Sequence, residues 1–217
     1  MSRPRWFLVL SSSLLGLVTA SSATLGIVSV DSATSSVYGQ DFELEEERLG
    51  AQALGRSAYD FRLTDIDDEV VDQDDVRDTP YALLIAGTPC RVSARTASRL
   101  VSALEEHEQM RALVVVYQPA RGHQAAPNLR VAARTFSQQH VEGKEASERV
   151  QVGLSDEALR VNYGSLVYGT DKSLDDVPAL FTVDKDGIIR AAHIGDASEA
   201  DISEALAAAV VDEEDDE

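Results

Sequence analysis

The sequence predicts an α/β domain built on one central mixed sheet, in which parallel strand–helix units come first and an antiparallel hairpin and a helix come last. Residues 81–86 and 112–117 form two continuous apolar runs, which are typical of strands buried on both faces of a sheet. An amphipathic segment separates the two runs and is long enough for a right-handed crossover between parallel strands. Later in the chain, two more apolar runs flank an Asp-Gly turn, which indicates an antiparallel hairpin.

The individual elements follow from local patterns. Residues 59–63 alternate between polar and apolar, and with residues 69–71 they predict a short strand pair. Residues 93–108 place apolar side chains at three- and four-residue spacing, which predicts a helix. We then expect a helix at 128–139, a strand at 150–154, a short helix at 156–161 followed by a glycine-containing loop, hairpin strands at 179–183 and 188–193, and a helix at 198–210 capped by Ser198.

The charge balance restricts the partners of the folded domain. The chain carries 38 acidic and 19 basic residues, which gives a formal net charge of −19. Such a surface repels the phosphates of nucleic acids and anionic lipid headgroups, so we expect no nucleic-acid partner. An acidic surface is also typical of proteins that work at high salt, where screening weakens self-repulsion. An ordinary solubilising surface is the alternative interpretation.

The N-terminus has the pattern of an export segment. Arg3 and Arg5 precede residues 6–30, which carry no charge. The stretch contains small residues suited to cleavage, and it is also long enough to span a bilayer, which takes about 20 residues. A cleaved signal peptide and an uncleaved membrane anchor therefore both stay open. In either case we expect the remaining chain outside the cytoplasm, as a periplasmic, membrane-anchored or secreted protein.

Composition predicts four segments along the chain. Residues 1–30 are the signal peptide or membrane anchor, and residues 31–57 are an acidic linker rich in Ser, Gly and Glu. Residues 58–211 form the α/β domain. Residues 212–217 are a block of like charges, which predicts a disordered acidic tail.

Cys90 is the only cysteine of the chain, and it lies between the first apolar run and the helix that follows. A thiol has a reference pKa of about 8.5, and the first turn of a helix favours the thiolate. Arg91 adds a nearby cation, and the Ser93 hydroxyl can donate a hydrogen bond to the sulfur anion. The position therefore predicts a reactive thiol. A buried and inert cysteine is the alternative.

Four segments resemble the exported thioredoxin-like proteins of the TlpA type, over roughly residues 58–210. The segments are residues 61–65, 81–90, 177–181 and 184–190. The resemblance implies a thioredoxin-like three-layer sandwich. It also implies that Pro178, just before the first hairpin strand, follows a cis peptide bond and lies beside the reactive cysteine.

The redox motif departs from that family. The family carries Cys-x-x-Cys, whereas this chain has Cys90-Arg91-Val92-Ser93, and Pro89 stands at the usual tryptophan position. Without a second thiol, Cys90 can form a mixed disulfide with a protein or small-molecule thiol, but release needs a thiol from elsewhere. We therefore expect single-thiol exchange with protein or small-molecule thiols and disulfides, with Cys90, Ser93 and Pro178 at the site. No cofactor and no metal are expected.

Two other functions stay open. A thioredoxin-like binding module with lapsed redox activity is favoured by Ser93, by Pro89 and by the acidic surface. A one-cysteine peroxidase is the other, because peroxiredoxins share the fold and place a threonine three residues before the reactive cysteine, although Thr88 stands two residues before Cys90. The histidines are too scattered to form a metal site with the single cysteine. They are His107, His123, His140 and His193.

Overall fold

The computed structural model describes residues 50–118, 128–170, 172–175 and 177–210. The predicted export segment, most of the predicted linker and the acidic tail at residues 212–217 lie outside the described residues, so the four-segment division stays a prediction. Within the described ranges, no helix combines the length and apolar character that crossing a membrane requires.

Seven strands of the described chain form one mixed sheet, and helices cover both of its faces. The strands are β1 (Arg62–Asp65), β2 (Val70–Asp72), β3 (Tyr81–Gly87), β4 (Arg111–Tyr117), β5 (Val150–Leu154), β6 (Ala179–Val183) and β7 (Ile189–Ile194), and the helices are α1 (Arg91–Ala103), α2 (Leu129–His140), α3 (Glu157–Tyr168) and α4 (Glu199–Val210).

The strand order is β2-β1-β5-β4-β3-β6-β7. The pairs β3–β4 and β4–β5 are parallel, and the remaining neighbours are antiparallel. The predicted architecture is confirmed, with parallel strand–helix units first and an antiparallel hairpin and a helix last.

β3 is an inner strand of the sheet, and its two faces contribute to two different hydrophobic cores. All seven of its residues are buried, as the continuous apolar run predicted. Because successive side chains point to opposite faces, Leu84 packs with α1 and α4, whereas Leu83 and Ile85 pack with α3. The strand therefore anchors both helical layers and fixes the place at which the chain enters α1.

α3 is longer than predicted. The sequence predicts a helix over residues 156–161 and then a glycine-containing loop, whereas α3 continues through Gly164 to Tyr168. A Cβ atom at Gly164 would lie 1.9 Å from the carbonyl oxygen of Lys172. Gly164 therefore marks a close approach between two backbone segments and does not end the helix.

The described part of the predicted linker, from Gly50 to Ser57, contacts the sheet beside β7. Ser57 forms an isolated bridge with Ile188, and the Gly55 N–H donates to the Ile189 carbonyl oxygen at 2.9 Å. Ala53 is fully buried in the core next to α3. These residues therefore belong structurally to the edge of the domain.

Candidate functional site

Cys90 lies at the carboxyl end of β3, at the point where the chain turns into α1. Its N–H donates to the Gly87 carbonyl oxygen at 3.1 Å, and its own carbonyl oxygen accepts from the Ala94 N–H at 3.1 Å. Cys90 is thus the N-cap residue of α1, with φ −78° and ψ 122°, and it is half-buried. The residue lies at the positive end of the helix dipole, where an anion is stabilised.

Ser93 lies one helical turn after Cys90 and is buried. Its Oγ atom accepts a hydrogen bond from the Gly87 N–H at 3.0 Å. A hydroxyl can accept and donate at the same time, so this contact leaves the Ser93 hydrogen available to another acceptor. Ser93 therefore ties the end of β3 to the first turn of α1, which is a structural role that the sequence did not reveal.

Pro178 is buried at the same end of the sheet as the Cys90 turn. It precedes Ala179, and Ala179 pairs with Ile85 near the carboxyl end of β3. The Pro178 carbonyl oxygen accepts from the Gly195 N–H at 2.8 Å. Pro178 thus begins the strand that runs beside β3.

The predicted cis bond before Pro178 is wrong. Among the described residues, the cis peptide bond is the one between Thr88 and Pro89. Most X-Pro bonds are trans, and the isomer is set by the surrounding structure, so the sequence position of a proline does not determine it. Pro89, which stands where the family has tryptophan, is exposed.

Tyr117 is a neighbour of the site that was not predicted from the sequence. It ends β4 and pairs with Gly87, and its carbonyl oxygen accepts from the Thr88 N–H at 2.9 Å. Its ring covers Gly87 so closely that a Cβ atom there would lie 3.1 Å from the ring Cζ and the hydroxyl oxygen. Because the carboxyl ends of parallel strands meet at one edge, the end of the second apolar run was the signal for this neighbour.

Arg160 of α3 brings a positive charge to the same edge. The centre of its guanidinium group lies 5.2 Å from the centroid of the Tyr117 ring, which is a cation–π contact. Its Nε donates to Asp175 at 2.7 Å, and one of its terminal nitrogens donates to the Asp156 carbonyl oxygen at 2.8 Å. These contacts hold the guanidinium group in place over the ring.

Thr88 is buried beside the Cys90 turn and contacts the end of β4. Its Oγ1 donates to the Tyr117 carbonyl oxygen at 3.3 Å, and the residue is buried. The hydroxyl group of Thr88 therefore joins the segment before Cys90 to the backbone at the end of β4.

No family model matches the sequence, and no curated protein matches it. Known structures do resemble the described fold. One is DsbF of MTB in its mixed oxidized and reduced forms, with 14% sequence identity and a TM-score of 0.50 over 74% of this chain and 98% of DsbF.

Two further structures are similar. The first is a thiol:disulfide interchange protein of the thioredoxin family from Chlorobium tepidum, with 13% identity and a TM-score of 0.52 over 73% of this chain and 99% of that protein. The second is BsSco, a member of the Sco family of cytochrome c oxidase assembly proteins, with 12% identity and a TM-score of 0.53 over 74% of this chain and 97% of BsSco. At these identities the likeness concerns the fold alone, and the predicted thioredoxin-like fold is confirmed.

Proposed function

We propose that this chain is a thioredoxin-like thiol–disulfide exchange protein that acts outside the cytoplasm with Cys90 as its single reactive thiol. The observation that carries the proposal is the position of Cys90 as the half-buried N-cap residue of α1. A helix N-terminus stabilises the thiolate, and the thiolate is the nucleophile of disulfide exchange. The location is supported by the uncharged N-terminal stretch at residues 6–30.

The exchange proceeds in two steps. The Cys90 thiolate attacks one sulfur of a substrate disulfide, forms a mixed disulfide and expels the other substrate sulfur as a thiolate. A thiolate from a second molecule then attacks the substrate sulfur of the mixed disulfide, forms a new disulfide with it and releases the Cys90 thiolate. The second thiol comes from outside the chain, because the chain has one cysteine.

The neighbouring residues support this chemistry in different ways. Ser93 holds the turn through the Gly87 N–H, and its hydroxyl hydrogen can be donated to the Cys90 thiolate. Arg160 is held over the Tyr117 ring at the same edge of the sheet, where its charge is paired with the Asp175 carboxylate. Pro178 forms part of the buried floor beside the end of β3.

Trapping of the mixed disulfide tests the proposal. The protein is incubated with oxidised glutathione as the probe, and the intact mass is measured before and after addition of a small thiol. We expect one glutathione attached at Cys90, with release by the thiol, and no attachment to Cys90→Ser. Attachment that requires prior denaturation would contradict the proposal.

The pH dependence of Cys90 alkylation gives an independent test. A thiol at a helix N-terminus should reach half of its maximal alkylation rate below about pH 8.5, the reference value for an unperturbed thiol. Arg91→Ala serves as a variant that removes an adjacent charge without altering the N-cap. An alkylation rate that rises only above about pH 8.5 would show that the Cys90 thiol is not activated and would contradict the proposed exchange activity.

A binding module is the second candidate, and the contact of Ser93 favours it. The residue at the second position of the motif is buried and its Oγ atom accepts from the Gly87 N–H, so it stabilises the turn whether or not Cys90 reacts. The Cys90→Ser variant separates the two functions. If the variant captures its partner as well as the unmodified chain does, the protein is a binding module. If the variant no longer forms the trapped mixed disulfide, thiol chemistry is established.

A further inference from the structure

A row of three arginines begins directly beside Cys90 on α1. Arg91, Arg95 and Arg99 are spaced four residues apart, and because an α-helix has about 3.6 residues per turn they lie along one side of the helix. Arg91 and Arg95 are exposed, and Arg99 is half-buried. The rise of the helix places Arg95 about 7.5 Å from Cys90 along the axis, which is within the reach of a long side chain.

The part of the chain that carries this arginine row differs in charge from the rest of the protein. The sequence has 38 acidic residues, yet none lies between residues 79 and 104, where the three arginines are the only charged side chains. The strand and the helix on either side of Cys90 therefore carry a net positive charge in a strongly acidic chain. Charges of one sign grouped beside a reactive group raise the local concentration of molecules of the opposite charge.

The carboxylates next to the arginine row do not neutralise all of it. Asp196, in the turn between β7 and α4, accepts from Arg95 at 2.6 Å and from Arg99 at 2.9 Å. Asp201 also lies close enough to Arg99 for the two charges to interact. Arg99 is thus paired at the start of α4, whereas Arg95 shares its carboxylate. Within the described ranges, Arg91 forms no ion pair.

The arginine row lies on the side of α1 that faces the β7–α4 turn. This turn also contacts Pro178, because the Gly195 N–H donates to the Pro178 carbonyl oxygen at 2.8 Å. Asp196 follows Gly195 and holds Arg95. The contacts join Arg95 to the strand that runs beside β3, at the end of the sheet where Cys90 lies. A molecule held at Cys90 on this side of α1 therefore has guanidinium groups beside it.

Long-range charge decides between a small anion and a large one. The net charge of −19 repels anions at a distance, and the repulsion grows with the charge of the approaching molecule. A strongly acidic protein is therefore repelled before it reaches the arginines, whereas a small molecule with one or two carboxylates meets much less repulsion. At short range, a guanidinium group binds a carboxylate through two parallel hydrogen bonds.

We propose, on the basis of the exchange activity proposed above, that the substrate of Cys90 is a small thiol or disulfide with a carboxylate group, which Arg91 and Arg95 bind beside the reacting sulfur. The Cys90 thiolate attacks one sulfur of the anionic disulfide, and the other half of the substrate leaves as a thiolate. One disulfide bond forms as another breaks, so no external oxidant or reductant takes part.

Exchange rates with three small disulfides test the substrate class. Dithiodipropionate is anionic, hydroxyethyl disulfide is neutral and cystamine is cationic. Mixed-disulfide formation at Cys90 is followed by intact mass at low ionic strength, and each rate is divided by the rate of the same disulfide with N-acetylcysteine methylamide, which corrects for the leaving group. We expect the corrected rate to be about fivefold higher for the anionic than for the neutral disulfide, and lowest for the cationic one. Equal corrected rates, or the highest rate with cystamine, would overturn the proposal.

Variants locate the preference in the arginine row. Arg91→Gln and Arg95→Gln each remove one charge, and we expect each to lower the ratio of the anionic to the neutral rate about threefold. Arg91→Lys keeps the charge and should keep most of the preference. Arg111→Gln is the matched control, because it removes the same charge at the first residue of β4, at the opposite end of the sheet. An equal loss in Arg111→Gln would show an effect of net charge alone and would contradict binding by the row.

The neutral disulfide separates this substrate class from the exchange activity itself. If Cys90 reacts with hydroxyethyl disulfide but shows no charge preference, exchange stands and the substrate class is wrong. If Cys90 reacts with none of the three disulfides, both are wrong. A disulfide of a cysteine peptide flanked by glutamates is the last arm. If its corrected rate exceeds that of dithiodipropionate, the substrate is an acidic segment of a protein and the assignment to a small molecule is overturned.

Discussion

Ser93 determines both how the turn at Cys90 is held and which thiol reactions Cys90 can undergo. The hydrogen bond from the Gly87 N–H to Ser93 Oγ is buried and joins β3 to α1. Sulfur is a weak acceptor, so a cysteine at this position would hold the Gly87 N–H less well. A hydroxyl at the second position of the motif therefore favours a stable turn and offers no second thiol for an internal disulfide.

The variant Ser93→Cys should turn the single-thiol site into one that closes an internal disulfide. We expect a loss of about 2 Da on oxidation and the disappearance of both thiols from a thiol assay, because the two positions match a Cys-x-x-Cys motif. The weaker acceptor should lower the free energy of unfolding by about 1 kcal/mol.

The control for this prediction is Ser93→Ala, which removes the acceptor and adds no thiol. It should be destabilised by about 1–3 kcal/mol, since the Gly87 N–H then stays buried and unpaired. If the oxidised Ser93→Cys protein keeps both thiols, the two side chains do not approach each other and the assumed motif geometry is wrong.

The site could be predicted from the sequence only in part at the residue scale. The apolar pattern placed Cys90 after a strand, and only the family resemblance placed Pro178 beside it; the two residues do lie at one end of the sheet, and their roles in exchange stay a prediction. The end of the second apolar run places Tyr117 at the same edge as Cys90, but the packing of its ring over Gly87 depends on tertiary contacts that the run does not encode.

At the scale of elements, Gly164 shows how a helix can be misjudged from sequence. Glycine is a poor helix former, and its presence predicted a loop. The structure shows instead that the α3 backbone needs a residue without Cβ to pass the Lys172 carbonyl group. Such a long-range approach leaves no local pattern in the sequence, whereas the other helices and the strands were predicted because their apolar periodicity is local.

Gly164→Ala should therefore destabilise the domain strongly. The new Cβ would overlap backbone, which cannot move aside as a flexible side chain can, so we expect a loss of about 3 kcal/mol in urea unfolding. Gly143→Ala is the matched control. Nothing lies within 4 Å of a Cβ at Gly143, and only its positive φ of 77° penalises alanine, by about 1 kcal/mol. An equal loss in the two variants would show that the clash at Lys172 is relieved by a backbone shift.

The start of α4 carries a reciprocal cap whose strength should depend on pH. The Asp201 N–H donates to Ser198 Oγ at 3.2 Å, and the Ser198 N–H donates to the Asp201 carboxylate at 2.9 Å. Hydrogen bonding by the Ser198 side chain, and then by its backbone, lowers the pKa of Asp201 below its ordinary value of 3.8. A lowered carboxylate pKa gives stability that is fully present above the ordinary value and is lost as the pH falls through the lowered one.

We therefore expect Asp201→Asn to cost about 1 kcal/mol near pH 7. The difference from the unmodified chain should shrink in urea unfolding curves measured below about pH 3.8. Glu204→Gln, an exposed substitution in the same helix, should show no such dependence. A cost for Asp201→Asn that is constant over the whole pH range would mean that the cap does not require the charged carboxylate.

For the whole molecule, the net charge of −19 is the dominant electrostatic property. Like charges on a compact surface repel one another, and raising the salt concentration from about 0.1 M to about 1 M shortens the screening length from about 10 Å to about 3 Å. We expect the urea midpoint of unfolding to rise with sodium chloride over this range.

A urea midpoint that falls as the sodium chloride concentration rises is the alternative outcome of this measurement. Exposed ion pairs weaken with salt, and the described surface contains several, among them Arg95–Asp196 and Arg134–Asp67. A midpoint that falls with salt would show that these attractions outweigh the repulsion. It would also remove the support that the acidic composition gives to a high-salt habitat.

The segment from Gly50 to Ser57 has a consequence for how copies of this protein meet each other. A bare strand at the border of a sheet is a template for strands of other molecules. Here Ser57 bridges Ile188, and hydrogen bonds join residues 55 and 56 to Ile189, while the opposite border, β2, is only three residues long. At one border of the described sheet the edge is covered, and at the other the edge strand is too short to pair readily with another chain. A chain shortened to begin at Ala58 would expose β7 and should self-associate through it.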